Sequence, residues 1–216
     1  MKNNFFTYLG IFISYTTISG VNWAFKTYNG ESLNNLQVIT KELIILSLVG
    51  FLFWIIIRKE GLPLESIGLH GRDIKKSLLL SLLILVTCIG AIVVAILISK
   101  QLGWPFGESK AFDKLSPWVI TLVVIRAGVA EEVFMRGYLL ERLKTLTGST
   151  TMTVILSLIP FALLHYPGQG WAGVLVSFAA GGVLTWFYLW KRDLKANIIA
   201  HFTADFVPNV LLPAFL

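Results

Sequence analysis

Two adjacent carboxylates interrupt an apolar stretch that is long enough to cross a bilayer. The stretch begins at Pro117, and its C-terminal part contains Glu131, Glu132 and Arg136. A charged side chain near the middle of a membrane helix costs about 2.5–3.5 kcal/mol on insertion scales. Three such residues within six positions must therefore pair with one another, face a hydrated cavity or take part in chemistry.

The composition predicts an all-α membrane protein. Hydrophobic residues make up 56% of the 216 residues and charged residues only 14%, whereas a soluble domain carries about 25% charged residues. The polar surface is too small to cover a core in water. We predict one transmembrane domain over residues 1–216, built as a bundle of about seven transmembrane helices. The single cysteine, Cys88, excludes a disulfide framework.

Seven stretches are long enough to cross a bilayer, for which a helix needs about 20 residues. We place them at Phe5–Phe25, Val38–Ile57, Ser77–Ser99, Pro117–Leu140, Thr150–Tyr166, Trp171–Trp190 and Ala196–Leu216.

Lysine and arginine are distributed unequally between the two sides that this arrangement defines. One side holds eleven of them: Lys2, Arg58, Lys59, Arg72, Lys75, Lys76, Arg142, Lys144, Lys191, Arg192 and Lys195. The other side holds five: Lys26, Lys41, Lys100, Lys110 and Lys114. Cytoplasmic loops carry the excess of positive charge, so the N-terminus is predicted to be cytoplasmic. The net charge of +6 reflects this topology, and no basic stripe or soluble domain indicates a nucleic-acid partner.

Two long connections between predicted spans, and small residues and prolines within the spans, give further expectations about the fold. The segment Arg58–Asp73 is predicted to lie along the membrane interface, and Lys100–Ser116 to form an external loop. Residues Gly173, Ser177 and Gly181 recur every four positions, which favours close approach of a neighbouring helix. Two prolines inside predicted helices, Pro160 and Pro208, are expected to bend them.

The acidic pair has two interpretations. Glu132 and Arg136 are four residues apart and share a helical face, whereas Glu131 is rotated about 100° away and has no cation at ideal helical spacing. One interpretation pairs Glu132 with Arg136 and leaves Glu131 to face a cavity as a general base. The alternative is a single buried ion network of all three residues that fixes helix packing.

Two histidines lie in similar surroundings. Phe161 precedes His165 by one helical turn, so its ring can pack against the imidazole, although a histidine at the headgroup level would look the same. His201 and Asp205 are four residues apart, so the carboxylate can orient the imidazole. If these residues converge with Glu131, they supply a base, a second proton carrier and a donor to an oxyanion, as peptide hydrolysis requires.

These three motifs resemble, in order, those of the CPBP family, the intramembrane endopeptidases related to the type II CAAX prenyl protease and also called the Abi family. The motifs are Glu131-Glu132-x-x-x-Arg136, Phe161-x-x-x-His165 and His201-x-x-x-Asp205. They lie between Pro117 and Asp205, so the family-like catalytic core is assigned to about 117–216. The first three predicted spans resemble the family only in being hydrophobic.

The resemblance implies a peptide or protein substrate, membrane-associated or lipidated. It implies that Glu131 and His165 activate water and that His201 and Asp205 stabilise the oxyanion. Glu132, Arg136 and Phe161 would shape the site. The family commonly has asparagine at the last position. An ionised Asp205 cannot donate to an oxyanion, so it would instead orient His201 or stay protonated.

A metal is the first open question. Glu131, His165, His201 and Asp205 include residue types that bind catalytic zinc. Because no H-E-x-x-H helix occurs and the donors come from three spans, no cofactor is favoured, with zinc as the alternative.

Two other functions compete with that of a protease. A catalytically silent scaffold of the same fold could act in bacteriocin immunity or regulation. A proton-coupled transporter could use a Glu/His relay, but the chain shows neither paired broken helices nor a repeated half.

Overall fold

Helices make up the architecture throughout the described residues. The computed structural model describes residues 4–30, 32–71, 73–105, 112 and 115–214, and no strand occurs among them. The all-α prediction is therefore confirmed for this part of the chain. The α-helices are α1 (Phe5–Asn29), α2 (Asn35–Trp54), α3 (Ile74–Gln101), α4 (Pro117–Arg126), α5 (Leu140–Thr147), α6 (Thr150–Leu163), α7 (Tyr166–Lys191) and α8 (Leu194–Phe206).

Among the described residues, three stretches of π-helix change the winding of these helices. Ile55–Glu60 extends α2, Val207–Leu211 extends α8, and Ala127–Leu139 joins α4 to α5 without a break. We call Ala127–Leu139 the π segment. A π-helix is usually a single turn and is frequent at functional sites, so thirteen residues of it around the acidic pair are unusual. Its wider winding brings residues five apart onto one face, which an α-helix does not do.

Within the described ranges, three helices are long and apolar enough to cross a membrane: Asn35–Glu60, Ile74–Gln101 and Tyr166–Lys191. The other predicted spans also coincide with helices, but α6 has only 14 residues. At 1.5 Å per residue it is about 21 Å long, which is shorter than the hydrocarbon core. The count of seven transmembrane helices therefore stays a prediction, as does the orientation. Lys2, Arg72, Lys110, Lys114 and about half of the predicted loop Lys100–Ser116 lie outside the described residues.

Helix α3 has a polarity opposite to that of a helix in a soluble protein. Its buried residues are mostly small or polar and follow helical spacing: Ser77, Ser81, Ile84, Cys88, Ala95 and Ser99. Its large aliphatic side chains are exposed, among them Leu79, Leu82, Val86 and Val94. The small residues let α3 pack closely on α7 and α8. The exposed aliphatic face suits contact with lipid.

The end of α6 differs from the prediction. The span was expected to reach Tyr166 and to be followed by a turn, but α6 ends at Leu163 and α7 begins at Tyr166. Residues Tyr166–Gly170 are helical up to a kink at Gly170, whose φ of 64° favours glycine.

Pro160 leaves one carbonyl of α6 without its usual helical donor. It removes the hydrogen bond that the Leu156 carbonyl would accept in an α-helix, and the Tyr15 hydroxyl of α1 donates to that carbonyl at 2.8 Å instead.

The connection between α2 and α3 contributes to the core. Arg58 to Glu60 at its start are helical and Ile67 is fully buried, while the position of Arg58–Asp73 along the membrane interface stays a prediction. The Leu194 amide donates to the Gly68 carbonyl at 3.1 Å, which attaches the connection to the start of α8. A short helical turn at Leu64–Ile67 carries the buried side chain.

A glycine sets the distance between the π segment and α8. A Cβ added to Gly128 would lie 3.1 Å from the Phe202 backbone nitrogen and 3.2 Å from its Cα. We expect Gly128→Ala to destabilise the protein by about 1–3 kcal/mol, because backbone atoms cannot move aside as a side-chain end does. The measurement is thermal unfolding in detergent.

The matched control is Gly90→Ala in α3, where an added Cβ meets nothing within 4 Å. Alanine favours a helix over glycine, so this variant should be as stable as the wild type or slightly more stable. Equal melting temperatures for the two variants would contradict the close contact at Gly128.

Candidate active site

Glu132 is the centre of a buried polar cluster. Its side chain is 0% exposed. One carboxylate oxygen accepts from Arg136 Nη1 and from His201 Nδ1, both at 2.9 Å. The other oxygen accepts from Asn197 Nδ2 at 3.1 Å. The predicted Glu132–Arg136 pair is present, and the cluster also joins the π segment to α8. A carboxylate buried this deeply needs such partners to offset its lost hydration.

One face of α8 supplies three polar side chains at four-residue spacing. Asn197 donates to Glu132 and, at 2.9 Å, to the Leu184 carbonyl of α7. His201 Nε2 lies 3.5 Å from Asp205 Oδ2, so the two share a face as expected. The shorter contact of the imidazole is the one with Glu132, which makes Glu132 its principal orienting partner.

The contacts assign the protons of both histidines. Glu132 is ionised against Arg136 and can only accept, so His201 Nδ1 carries a proton and donates it. His201 Nε2 can then also donate when the ring is protonated. His165 Nδ1 lies 3.0 Å from the Phe161 carbonyl and must donate to it. In neutral His165, Nε2 is therefore an acceptor, which suits contact with a water molecule.

Glu131 has different surroundings from its neighbour. Its side chain is 14% exposed, and one oxygen lies 3.4 Å from Arg126 Nη1. The expectation that Glu131 has no cation nearby was therefore wrong. Arg126 is five residues before Glu131, and the π winding brings residues at that spacing onto one face. The alternative of a single network of Glu131, Glu132 and Arg136 does not hold, because Glu131 pairs with Arg126 and Glu132 with Arg136.

Phe161 connects His165 to this cluster. The Phe161 ring meets the imidazole edge-on, with centroids 5.1 Å apart. The Arg136 guanidinium lies over the same ring, 4.4 Å from its centroid. Arg136 also donates to the Gly181 carbonyl at 3.3 Å, where a Cβ would come within 2.9 Å of the guanidinium. In the described part of the chain, no hydrogen bond or ion pair joins His165 to Glu131 or to His201.

The sequence interpretation missed three residues of these networks. Glu42 of α2 is 0% exposed and bonds to Arg126 Nε. Asn197 bonds to Glu132, and Arg126 contacts both Glu42 and Glu131. The sequence contains a feature that could have indicated each of them: Glu42 and Arg126 are charged residues inside predicted spans, and Asn197 precedes His201 by four residues. The partners could not be identified from spacing, because Glu42 and Arg126 are 84 residues apart.

The four donors considered for zinc do not form a metal site here. Among the described residues, no group of three or more His, Cys, Asp or Glu side chains is arranged to hold a metal ion. His201 Nδ1 and both Glu132 oxygens are engaged in hydrogen bonds. The chemistry below is therefore derived from the side chains alone.

Comparison with known proteins identifies the same region. Residues 113–207 match the family model described as type II CAAX prenyl endopeptidase Rce1-like. No curated protein and no solved structure matches the chain. The matched segment covers somewhat less than half of the chain and includes all three motifs. The match agrees with the resemblance of the three motifs to the CPBP family of CAAX-type proteases, and it is limited to this segment.

Proposed function

We propose that this protein is an intramembrane endopeptidase in which Glu131 and His165 activate the attacking water. The observation that carries the proposal is the contrast within the acidic pair. The Glu132 carboxylate is buried and both of its oxygens accept hydrogen bonds, whereas the neighbouring Glu131 carboxylate is partly exposed. A general base needs such an accessible acceptor.

The proposed reaction has two proton transfers. Glu131 takes a proton from water as the water oxygen attacks the carbonyl carbon of the peptide bond. The proton then passes to the amide nitrogen as the C–N bond breaks and the amine leaves. His165 Nε2, with its lone pair, orients the water or shares this proton.

Charge developing on the carbonyl oxygen requires a donor. His201 supplies it through Nε2–H when the imidazole is protonated, a form that contact with Glu132 and Asp205 favours. An ionised Asp205 only accepts hydrogen bonds, so its part is to orient and charge-stabilise the ring. Glu132 and Arg136 fix the position of His201, and Phe161 positions both Arg136 and His165.

The substrate in this proposal is a peptide or protein that reaches the site from the bilayer. The apolar helices and the CAAX prenyl endopeptidase description of the matched family support a membrane-associated or lipidated chain. A farnesylated peptide ending in cysteine, two aliphatic residues and a variable residue is a suitable first probe. The same peptide without the lipid is its companion.

We expect Glu131→Gln to reduce kcat for probe cleavage by about 10²–10⁴-fold, because the amide cannot take the proton from water. Cleavage is followed by mass spectrometry with protein reconstituted in vesicles. The control is Glu65→Gln, which changes an exposed carboxylate outside both networks and should leave the rate unchanged.

Full activity of a normally folded Glu131→Gln variant would reject the mechanism. Absence of cleavage by the wild type, together with retained protection against a bacteriocin in both variants, would favour the scaffold alternative.

The residue at position 205 gives a second test. We expect Asp205→Asn to retain activity within about tenfold of wild type, because an amide can donate to the oxyanion directly. We expect Asp205→Leu to lose more than tenfold, since it can neither donate nor orient His201. Steady-state cleavage of the same probe measures both variants. Equal rates for Asn and Leu would remove position 205 from the mechanism.

The side-chain mechanism also makes a prediction about metal removal. We expect probe cleavage to be unchanged after dialysis against EDTA and 1,10-phenanthroline, because every step is assigned to Glu131, His165 and His201. Metal content is checked by atomic emission. Loss of activity on dialysis and its recovery with zinc alone would establish a metal-dependent mechanism instead.

A further inference from the structure

A buried acid in the first half of the chain contacts the cation beside Glu131. Glu42 lies in α2, within the apolar stretch Asn35–Glu60, and its side chain is 0% exposed. One oxygen bonds to Arg126 Nε, and the other lies 3.1 Å from Lys41 Nζ. A carboxylate buried at this position needs cationic partners to offset its lost hydration, and Arg126 supplies one from α4, which packs on α2.

Arg126 bridges two carboxylates. Its Nε contacts Glu42, and its Nη1 lies 3.4 Å from Glu131. The guanidinium is a rigid plane, so a bond that fixes one edge also fixes the direction of the other. The contact with Glu131 is longer than the 2.9 Å bond between Arg136 and Glu132. The position of Glu42 thus decides how closely Arg126 approaches the proposed base.

We infer that Glu42 is a positioning residue that holds Arg126 back from Glu131. With Glu42 present, two carboxylates share one guanidinium, and Glu131 keeps lone pairs for water. Without the charge of Glu42, Arg126 has Glu131 as its remaining carboxylate partner and pairs with it fully. This inference rests on the proposed function only in taking Glu131 as the base.

The inference extends the active site beyond the matched segment. Residues 113–207 contain Arg126 and Glu131, but Glu42 belongs to α2. The first half of the chain then contributes to the chemistry as well as to the membrane domain.

The test combines Glu42→Gln with Arg126→Met. We expect Glu42→Gln to lower kcat for the farnesylated peptide by about tenfold or more with little change in KM, since the base is held by Arg126 and the binding surface is untouched. In the double variant the cation is also gone, so kcat should recover most of that loss. Melting temperatures in detergent identify variants that do not fold.

A second readout does not depend on proteolysis. Dicyclohexylcarbodiimide reacts with protonated carboxyl groups in apolar surroundings, and mass spectrometry of the peptide containing Glu131 measures the product. We expect labelling of Glu131 to fall at least about fivefold in Glu42→Gln and to return in the double variant, because a carboxylate whose oxygens accept from a guanidinium is shielded from the reagent.

The two readouts separate the possible failures. Wild-type labelling of Glu131 in Glu42→Gln would overturn the inference, whatever the activity. So would a double variant as impaired as Glu42→Gln in both readouts, since that result indicates a purely structural pair. The expected labelling pattern in a protein that cleaves no peptide would uphold the positioning role and reject the proposed function.

Discussion

An ionised carboxylate in an apolar interior is tolerated only with a partner, and this requirement organises the helices. Glu132 joins the π segment to α8 through His201, and Glu42 joins α2 to α4 through Arg126. Glu60, at the end of the π-helical extension of α2, pairs with Arg142 of α5 at 2.7 Å. Removing one member of a buried pair typically costs about 3–5 kcal/mol, so each pair restricts which helices pack together. The geometry around Glu131 follows from these restrictions.

Local contacts could be predicted from sequence because helical spacing fixes them. The pairing of Glu132 with Arg136, the approach of Phe161 to His165 and the shared face of His201 and Asp205 all follow from steps of four residues. The positions of the helical rods followed from the lengths of the apolar runs. The end of α6 was less predictable, since the helix ends at Leu163 whereas the predicted span continued to Tyr166.

Contacts between helices could not be predicted in the same way. Glu132 and His201 are 69 residues apart, and periodicity does not say which faces of two helices meet. The contact between Arg126 and Glu131 was missed for a different reason. The prediction assumed α-helical winding, and the π segment turns the chain less per residue. In an apolar span, the presence of a charged residue predicts a buried polar contact better than helical spacing does, and by this criterion Glu42 would also have been selected.

The exposed face of α3 has a consequence for ancestry. Only 22% of its most apolar stretch is buried. Hydrocarbon solvates leucine, isoleucine and valine almost equally. Contact with lipid therefore requires that the exposed side chains of α3 be apolar, but it does not require a particular aliphatic residue at each position. Such a helix can exchange one aliphatic residue for another over generations without loss of fitness. Sequence similarity between this protein and its relatives should therefore decrease fastest at exposed aliphatic positions such as those of α3. It should be retained longest at positions where buried polar atoms need particular partners.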